Sequence, residues 1–154
     1  MKRITLLLIL VLPFTLLNCN GTKKAKDSVT TASKKGVDFV SSKTLTNVLE
    51  EAQNSGKIVF LDMYTTWCAP CKIMDEEVYT DASVEALLDD KMISYKVDAE
   101  KGNGPDLTVI YNVRVYPTLI FLDEKGRELV RSDGALGTTG FLDLAQRALD
   151  ANEL

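Results

Sequence analysis

The 154-residue chain contains no histidine and only three cysteines. The absence of histidine excludes Ser-His-Asp and Cys-His catalysis and any metal site built on histidine ligands. Three cysteines are too few for a disulfide framework or for an iron–sulfur cluster held by four cysteines. Hydrophobic residues make up 45% and charged residues 26% of the chain, which are ordinary values for one globular domain.

Positive charge is scarce beyond the first 37 residues. Residues 38–154 hold 11 Lys and Arg against 21 Asp and Glu, and their composition is globular. Because nucleic-acid binding needs clustered cations to contact phosphates, we expect no nucleic-acid partner. The change in composition places the start of the folded domain at residue 38.

Residues 1–19 resemble a bacterial export signal. Lys2 and Arg3 form a short basic start, and an apolar run extends from Ile4 to Leu17. This run is shorter than the roughly 20 apolar residues that span a bilayer. It ends in LLNC, which resembles the lipobox at which bacterial lipoproteins are cleaved and lipidated on cysteine, here Cys19. The asparagine before Cys19 departs from the small residue usual there, so an ordinary secretory signal and an uncleaved anchor remain alternatives.

Residues 20–37 hold five lysines and almost no large apolar side chain. Such a composition cannot bury a core, which predicts a flexible tether. The sequence therefore predicts a lipid-anchored protein on the periplasmic side of a bacterial membrane. If Cys19 is not lipidated, the protein is instead expected to be secreted to the periplasm.

The pattern of the domain from residue 38 predicts the α/β class. Short apolar runs typical of strands alternate with segments whose apolar residues have helical spacing. The runs predict strands at 58–61, 92–97, 117–122 and 127–131, the last two forming a hairpin. Helical spacing predicts helices over 45–52, 68–78, from Asp81, near 107–111, and over 141–149 with Thr138 or Thr139 as its cap. The run at 58–61 is continuously apolar, as in a strand buried on both faces.

The motif WCAPCK at residues 67–72 combines two cysteines in one predicted helical turn. Their sulfurs can approach bonding distance, and a helix N-terminus favours a thiolate through its unpaired N–H groups and dipole. Pro70 is tolerated because the first turn has no helical hydrogen-bond partners for its N–H groups. We expect Cys68 to be the exposed nucleophile and Cys71 to resolve the mixed disulfide. Trp67 would form an apolar wall beside the attacking sulfur.

Three other interpretations of the cysteine pair remain. Half of a zinc site is one, although zinc usually needs four Cys or His ligands. Transfer of Cu(I) through two thiolates is another. The third is an inert structural disulfide, which would gain little loop-closure entropy across a three-residue separation.

Asp62 lies six residues before Cys68, within an apolar predicted strand. Burial raises the pKa of a carboxyl group, which suits a general base that deprotonates Cys71. The alternative is a solvated carboxylate at the strand end. Lys96, on the neighbouring predicted strand, either pairs with Asp62 or is itself solvated.

The stretches FLDMYTTWCAPCK, VRVYPTLIFLDEKG and DGALGTTGFLDLAQRALDAN resemble thioredoxins, and the resemblance covers about residues 57–151. It implies the thioredoxin-like fold, a central mixed β-sheet flanked by helices. It also implies that Asp62 is the buried acid and that Cys68 and Cys71 are the redox-active disulfide. A cis peptide bond between Tyr116 and Pro117 and a position for Gly134 near the substrate groove follow from the same resemblance. Trp67, Pro70, Tyr116, Pro117 and Gly134 are thus the expected substrate-binding residues.

Within that superfamily, YTTWCAPCKIMDEEVYTDASV is similar to the periplasmic thioredoxin-like domain of transmembrane thiol:disulfide interchange proteins. This implies disulfide-containing protein clients and a membrane electron donor. We expect a monomer without a cofactor or metal. Ala69, Tyr64, Tyr116 and an apparent insertion at 99–104 depart from the thioredoxin pattern, which affects substrate choice and redox potential.

The direction of exchange depends on how strongly the thiolate is stabilised. Ala69 and Pro70 place no side-chain donor between the cysteines, whereas a histidine there would favour an oxidant. We therefore predict a protein-disulfide reductase with a potential below roughly −200 mV. The alternatives are an oxidase or isomerase using the same motif, or a tethered Cu(I)-binding module.

Overall fold

The computed structural model describes residues 36–40 and 43–154. The predicted export signal, Cys19 and the tether up to residue 35 lie outside this range. The described residues form four strands and five α-helices. In chain order they are α1 (Leu45–Ser55), β1 (Ile58–Tyr64), α2 (Ala69–Ile73), α3 (Ala82–Lys91), β2 (Met92–Asp98), α4 (Gly104–Ile110), β3 (Thr118–Leu122), β4 (Glu128–Asp133) and α5 (Thr138–Asn152).

The strands form one mixed sheet in the order β2-β1-β3-β4. β1 pairs with β2 in parallel and with β3 antiparallel, and β3 and β4 form the predicted hairpin. A single parallel bridge between Val40 and Tyr95 adds backbone at the outer edge of β2. The expected α/β class with a mixed sheet flanked by helices is confirmed.

β1 is buried along six of its seven residues, as its continuous apolar run predicts. Alternate side chains enter two cores, one on each face of the sheet. Phe60 lies in the core that also contains Phe121 and Phe141, whereas Leu61 lies in the core that contains Val48 and Tyr95. Because side chains alternate along a strand, Asp62 points to the same face as Phe60.

The starts of α5 and β3 differ from their predicted positions. The N-cap of α5 is Gly137, with no side-chain cap hydrogen bond, so Thr138 and Thr139 lie inside the first turn. β3 begins at Thr118 rather than Pro117, because proline has no N–H for the ladder. By contrast, Gly56 ends α1 in the left-handed conformation at φ 67°, where glycine is favoured.

The helix after the cysteines changes its winding. A π-helical turn, Met74–Val78, follows α2 directly, and the N–H of Tyr79 donates to the carbonyl of Met74 at 2.9 Å. The sequence indicated one helix through Met74 and Val78 but gave no signal for the wider turn. Such turns shift the register of later side chains by one residue.

Candidate active site

The sulfur atoms of Cys68 and Cys71 are joined by a disulfide bond of 2.02 Å. Cys68 is the N-cap of α2, and its sulfur accepts a hydrogen bond from the N–H of Cys71 at 3.2 Å. The pair therefore lies where β1 has ended and unpaired N–H groups begin. Pro70 is the second residue of α2 and is exposed, which fits a first-turn position.

The expected exposure of Cys68 is wrong for this disulfide form. Cys68 is 3% exposed and Cys71 is 2% exposed, so both are buried to the same extent. In the disulfide, the sulfur of Cys68 is bonded to that of Cys71 and also accepts a hydrogen bond from the first turn of the helix. Both contacts direct it toward the protein rather than toward solvent. A difference in access between the two thiols therefore remains a prediction for the reduced form.

Trp67 forms the outer wall of the site, with 65% of its surface exposed. Its ring meets Tyr116 edge to face, with 5.9 Å between the centroids. Its indole N–H donates to Oε1 of Glu100 at 3.1 Å. Sequence reasoning placed Trp67 and Tyr116 at the site but missed Glu100, because no local signal in the 99–104 segment indicates which side chain returns to the motif.

The peptide bond between Tyr116 and Pro117 is cis, which confirms the expectation drawn from the thioredoxin resemblance. Strand register places this bond beside the end of β1, because Met63 is opposite Thr118. The N–H of Gly134 donates to the carbonyl of Pro117 at 2.8 Å. Gly134 has φ 113°, a conformation that favours glycine. The structure thus brings Pro117 and Gly134 together next to the chain that leads to Cys68.

Asp62 is buried, with 1% of its surface exposed, which confirms its predicted burial. Lys96 reaches it from β2, and its Nζ lies 2.7 Å from Oδ2 of Asp62. The same Nζ lies 2.5 Å from Oδ1 of Asp75 on the π-helical turn. Lys96 is therefore paired rather than solvated. It bridges a buried carboxylate and a partly exposed one.

Burial raises the pKa of Asp62, and the charge of Lys96 opposes that rise without cancelling it. For Lys96 itself, burial acts to lower the pKa, but the carboxylates of Asp62 and Asp75 outweigh it and raise the pKa. The lysine therefore stays charged, whereas Asp62 is a carboxyl group with enhanced proton affinity. A raised proton affinity is a property that suits a general base.

Two further residues at the acid were missed from the sequence. Asp75 contacts Lys96, and the ring of Tyr79 lies with its centroid 5.2 Å from the same Nζ. Both positions depend on the π-helical turn, which had no signal in the sequence. Within residues 36–40 and 43–154, no group of three or more acidic or cysteine side chains is suited to hold a metal ion. In the same ranges, every helix is too short or too polar to cross a bilayer.

Comparison with known proteins places this site in a family. The family model Thioredox_DsbH, described as "Protein of unknown function, DUF255", matches residues 24–121. The thiol:disulfide interchange protein DsbD of Yersinia pestis is 34% identical over 97 residues, 62% of this chain and 16% of that protein. The chain thus spans about a sixth of the length of the curated relatives it matches.

Solved structures agree with that assignment. A candidate disulphide-isomerase from Bacteroides thetaiotaomicron is 31% identical and has a TM-score of 0.68, covering 75% of this chain and 94% of its own. A thioredoxin from Thermus thermophilus is 23% identical with a TM-score of 0.66, covering 74% and 89%, which shows the common fold. The chain therefore belongs to the Thioredox_DsbH family of thioredoxin-like proteins.

Proposed function

We propose that this protein reduces disulfide bonds in other proteins, with Cys68 as nucleophile and Cys71 as the resolving thiol. The observation that carries the proposal is the Cys68–Cys71 disulfide at a helix start. Cys68 attacks one sulfur of a client disulfide as a thiolate, forms a mixed disulfide and releases one client thiolate. Cys71 then attacks the sulfur of Cys68, which closes the internal disulfide and releases the second client thiolate. Both client thiolates take protons, and an external dithiol must later reduce the protein again.

Asp62 acts in the second half of this cycle as the general base for Cys71. A thiol attacks only after it loses its proton, and the buried carboxylate lies on β1, the strand that leads to the motif. We expect Asp62→Asn to slow resolution by about 100-fold, the lower range for a general base. Mixed disulfides on Cys68 should then accumulate during turnover.

The client is expected to lie along the surface formed by Trp67, Pro70, Tyr116, Pro117 and Gly134. Trp67 supplies exposed apolar area, and Tyr116 supports its ring from the side. The carbonyl of Pro117 is held by Gly134, which fixes the backbone next to the disulfide. Such a surface contacts main chain and apolar side chains, so it suits protein clients rather than small charged thiols.

The reductive direction rests on the residues between the cysteines. Ala69 and Pro70 offer no side-chain donor to a Cys68 thiolate, so the reduced form gains little stabilisation. The expected potential is below roughly −200 mV, and redox titration against glutathione measures it. A potential near that of the strong oxidants, about −120 mV, would contradict the reductive assignment.

Turnover of insulin disulfides with dithiothreitol as donor tests the function directly. Wild-type protein should accelerate insulin reduction, and Cys68→Ser should abolish the acceleration. Cys71→Ser should instead trap mixed disulfides on Cys68, which non-reducing electrophoresis and mass spectrometry detect. Full activity in Cys68→Ser would overturn the assignment of the nucleophile. A stoichiometric Cu(I) complex without turnover would favour the copper-binding alternative.

A second candidate is disulfide isomerisation, favoured by the 31% identity to the candidate disulphide-isomerase from Bacteroides thetaiotaomicron. Isomerisation uses the same attack by Cys68, but a second client thiolate then attacks the mixed disulfide, forms a new client disulfide and releases the Cys68 thiolate before Cys71 resolves it. Reactivation of scrambled ribonuclease separates the two functions. Isomerase activity should persist in Cys71→Ser, whereas net reduction should be lost.

We also infer that the protein works on the periplasmic side of a bacterial membrane, held by a lipid on Cys19. The lipobox-like LLNC and the lysine-rich tether support this placement. The electron donor is then expected to be a membrane protein that exchanges disulfides, as the similarity to DsbD favours. Cys19→Ala should move the protein from the membrane fraction to the soluble periplasm. Mass spectrometry of the mature N-terminus should identify the lipid on Cys19.

A further inference from the structure

Two buried polar atoms at the acid lack a hydrogen-bond partner within the part of the chain that the structure describes. They are Oδ1 of Asp62 and the hydroxyl oxygen of Tyr79. Both residues are almost fully buried, Asp62 with 1% and Tyr79 with 3% of its surface exposed. An unpaired polar atom in such a place costs about 1–3 kcal/mol, so complementary atoms in reach of each other are expected to pair.

The two groups are close enough to influence each other. Burial, followed by the charge of Asp62 and hydrogen bonding to it, raises the pKa of Tyr79 well above its usual value. The Tyr79 hydroxyl in turn acts to lower the pKa of Asp62. Tyr79 supplies a donor, and Asp62 supplies an acceptor whose other oxygen is already bound by Lys96.

The charges around this pair come from three elements. Asp62 lies on β1, Lys96 reaches it from β2, and Asp75 binds the same lysine from the π-helical turn. A surface cavity of about 290 Å³ is lined in part by Asp75, Lys96 and Tyr79. Oδ1 of Asp62 is closed to solvent, and besides Lys96 the side chain that acts on this carboxyl group as a hydrogen-bond donor is Tyr79.

The ring of Tyr79 is fixed by other aromatic side chains. It packs edge to face on Phe39 and Phe141, with centroids 5.0 Å and 5.7 Å away. Phe60, two residues before Asp62 on the same face of β1, lies 6.0 Å from it. This packing determines the direction of the hydroxyl, and a phenylalanine would keep the packing while losing only the donor.

We propose that Tyr79 is a positioning residue whose hydroxyl donates to Oδ1 of ionised Asp62, while Lys96 holds Oδ2. This inference rests on the proposed role of Asp62 as the base for Cys71. Two donors hold the carboxylate in one orientation and keep it ionised at lower pH than burial alone would allow. The base then stays available over a wider pH range, and the π-helical turn is the element that brings Tyr79 to it.

The test is Tyr79→Phe, with the pKa of Asp62 followed by the carboxyl ¹³C chemical shift in the oxidised protein. Loss of a hydrogen bond to a charged group should raise the pKa of Asp62 by about one to two pH units. The acid limb of insulin turnover should move in the same direction by the same amount. An unchanged carboxyl titration in folded Tyr79→Phe would overturn the proposal.

Tyr95→Phe is the matched control, because Tyr95 is equally buried and its hydroxyl bonds to Lys43 and Asn103 instead. It should lower stability without moving the Asp62 titration. If Tyr79→Phe does not fold, Asp62→Asn provides the reciprocal measurement, since it should lower the pKa of Tyr79 seen by tyrosine ¹³Cζ shifts. No change there would also overturn the proposal. These titrations need no turnover, so their failure is separate from failure of the reductase assignment.

Discussion

Asp62 and Lys96 are direct partners in the parallel register of β1 and β2, and their side chains form an ion pair of 2.7 Å. Partners in adjacent strands point to the same face of the sheet, so the pairing follows from the register. Asp75 completes a carboxylate–ammonium–carboxylate cluster that ends near the surface. The buried acid is therefore supported by a cation that cannot leave without breaking both contacts.

Lys96→Met should shift the acid limb of turnover to higher pH. The lysine charge holds the pKa of Asp62 down, so its removal leaves burial unopposed and raises that pKa further. A rise of about one unit corresponds to about tenfold slower turnover at pH values below the limb. The measurement is insulin reduction between pH 5 and 9, with carboxyl NMR as a direct check.

Lys101→Met is the control for this change, because Lys101 pairs with Asp98 at the surface rather than with Asp62. Its profile should superimpose on that of the wild type. Equal shifts in both variants would show that the net charge of the protein, and not the Asp62–Lys96 pair, determines the pH of the acid limb.

Asp62→Asn should change how stability depends on pH. The folded pKa of Asp62 is raised above its unfolded value, so its contribution to stability is full below the unfolded pKa. That contribution is lost as pH rises through the folded pKa, where a buried carboxyl group must ionise. We expect the wild type to lose unfolding free energy relative to Asp62→Asn as pH rises from about 4, the unfolded value, through the raised folded pKa. Urea unfolding at several pH values measures this, and a constant difference would contradict it.

Gly104→Ala should destabilise the fold by at least about 2 kcal/mol, in the range for a forced core overlap. A Cβ atom at Gly104 would lie 2.0 Å from the carbonyl oxygen of Asp98, which is backbone and cannot rotate away. Gly137→Ala is the matched control, because its Cβ would meet nothing within 4 Å. Its cost should stay at about 1 kcal/mol or less, the penalty for replacing a glycine N-cap by the poorer alanine, and thus well below that of Gly104→Ala. Chemical denaturation of both variants distinguishes the two results.

Trp67 should report the redox state by its fluorescence. It is the only tryptophan in the chain and directly precedes the disulfide. Disulfide bonds quench an excited indole, so reduction with dithiothreitol should increase the emission. Cys68→Ser should show the higher emission without reductant and should not respond to it. An unchanged spectrum on reduction of the wild type would indicate that the indole and the disulfide are not in contact.

Sequence patterns are sufficient where the physics is local. The spacing of Cys68 and Cys71 fixes two sulfurs within one helical turn, and the apolar run of β1 requires burial on both faces. Resemblance to thioredoxins supplied what local physics does not, namely the cis bond before Pro117 and the place of Gly134. The prediction that Thr138 or Thr139 caps α5 failed because several small residues there are equally suited to begin a helix.

By itself, then, the sequence determined the α/β pattern of helices and strands and the spacing of the cysteine pair, because each depends on residues close together in the chain. It favoured a buried Asp62, and the fold confirmed that burial. Only the tertiary structure decided that Lys96 pairs with Asp62, that Glu100 holds the indole of Trp67, and that Tyr79 approaches the acid. Those contacts depend on strand register and on a π-helical turn. Both arise from the packing of segments that are distant in the chain, and neither corresponds to a periodic pattern in the sequence.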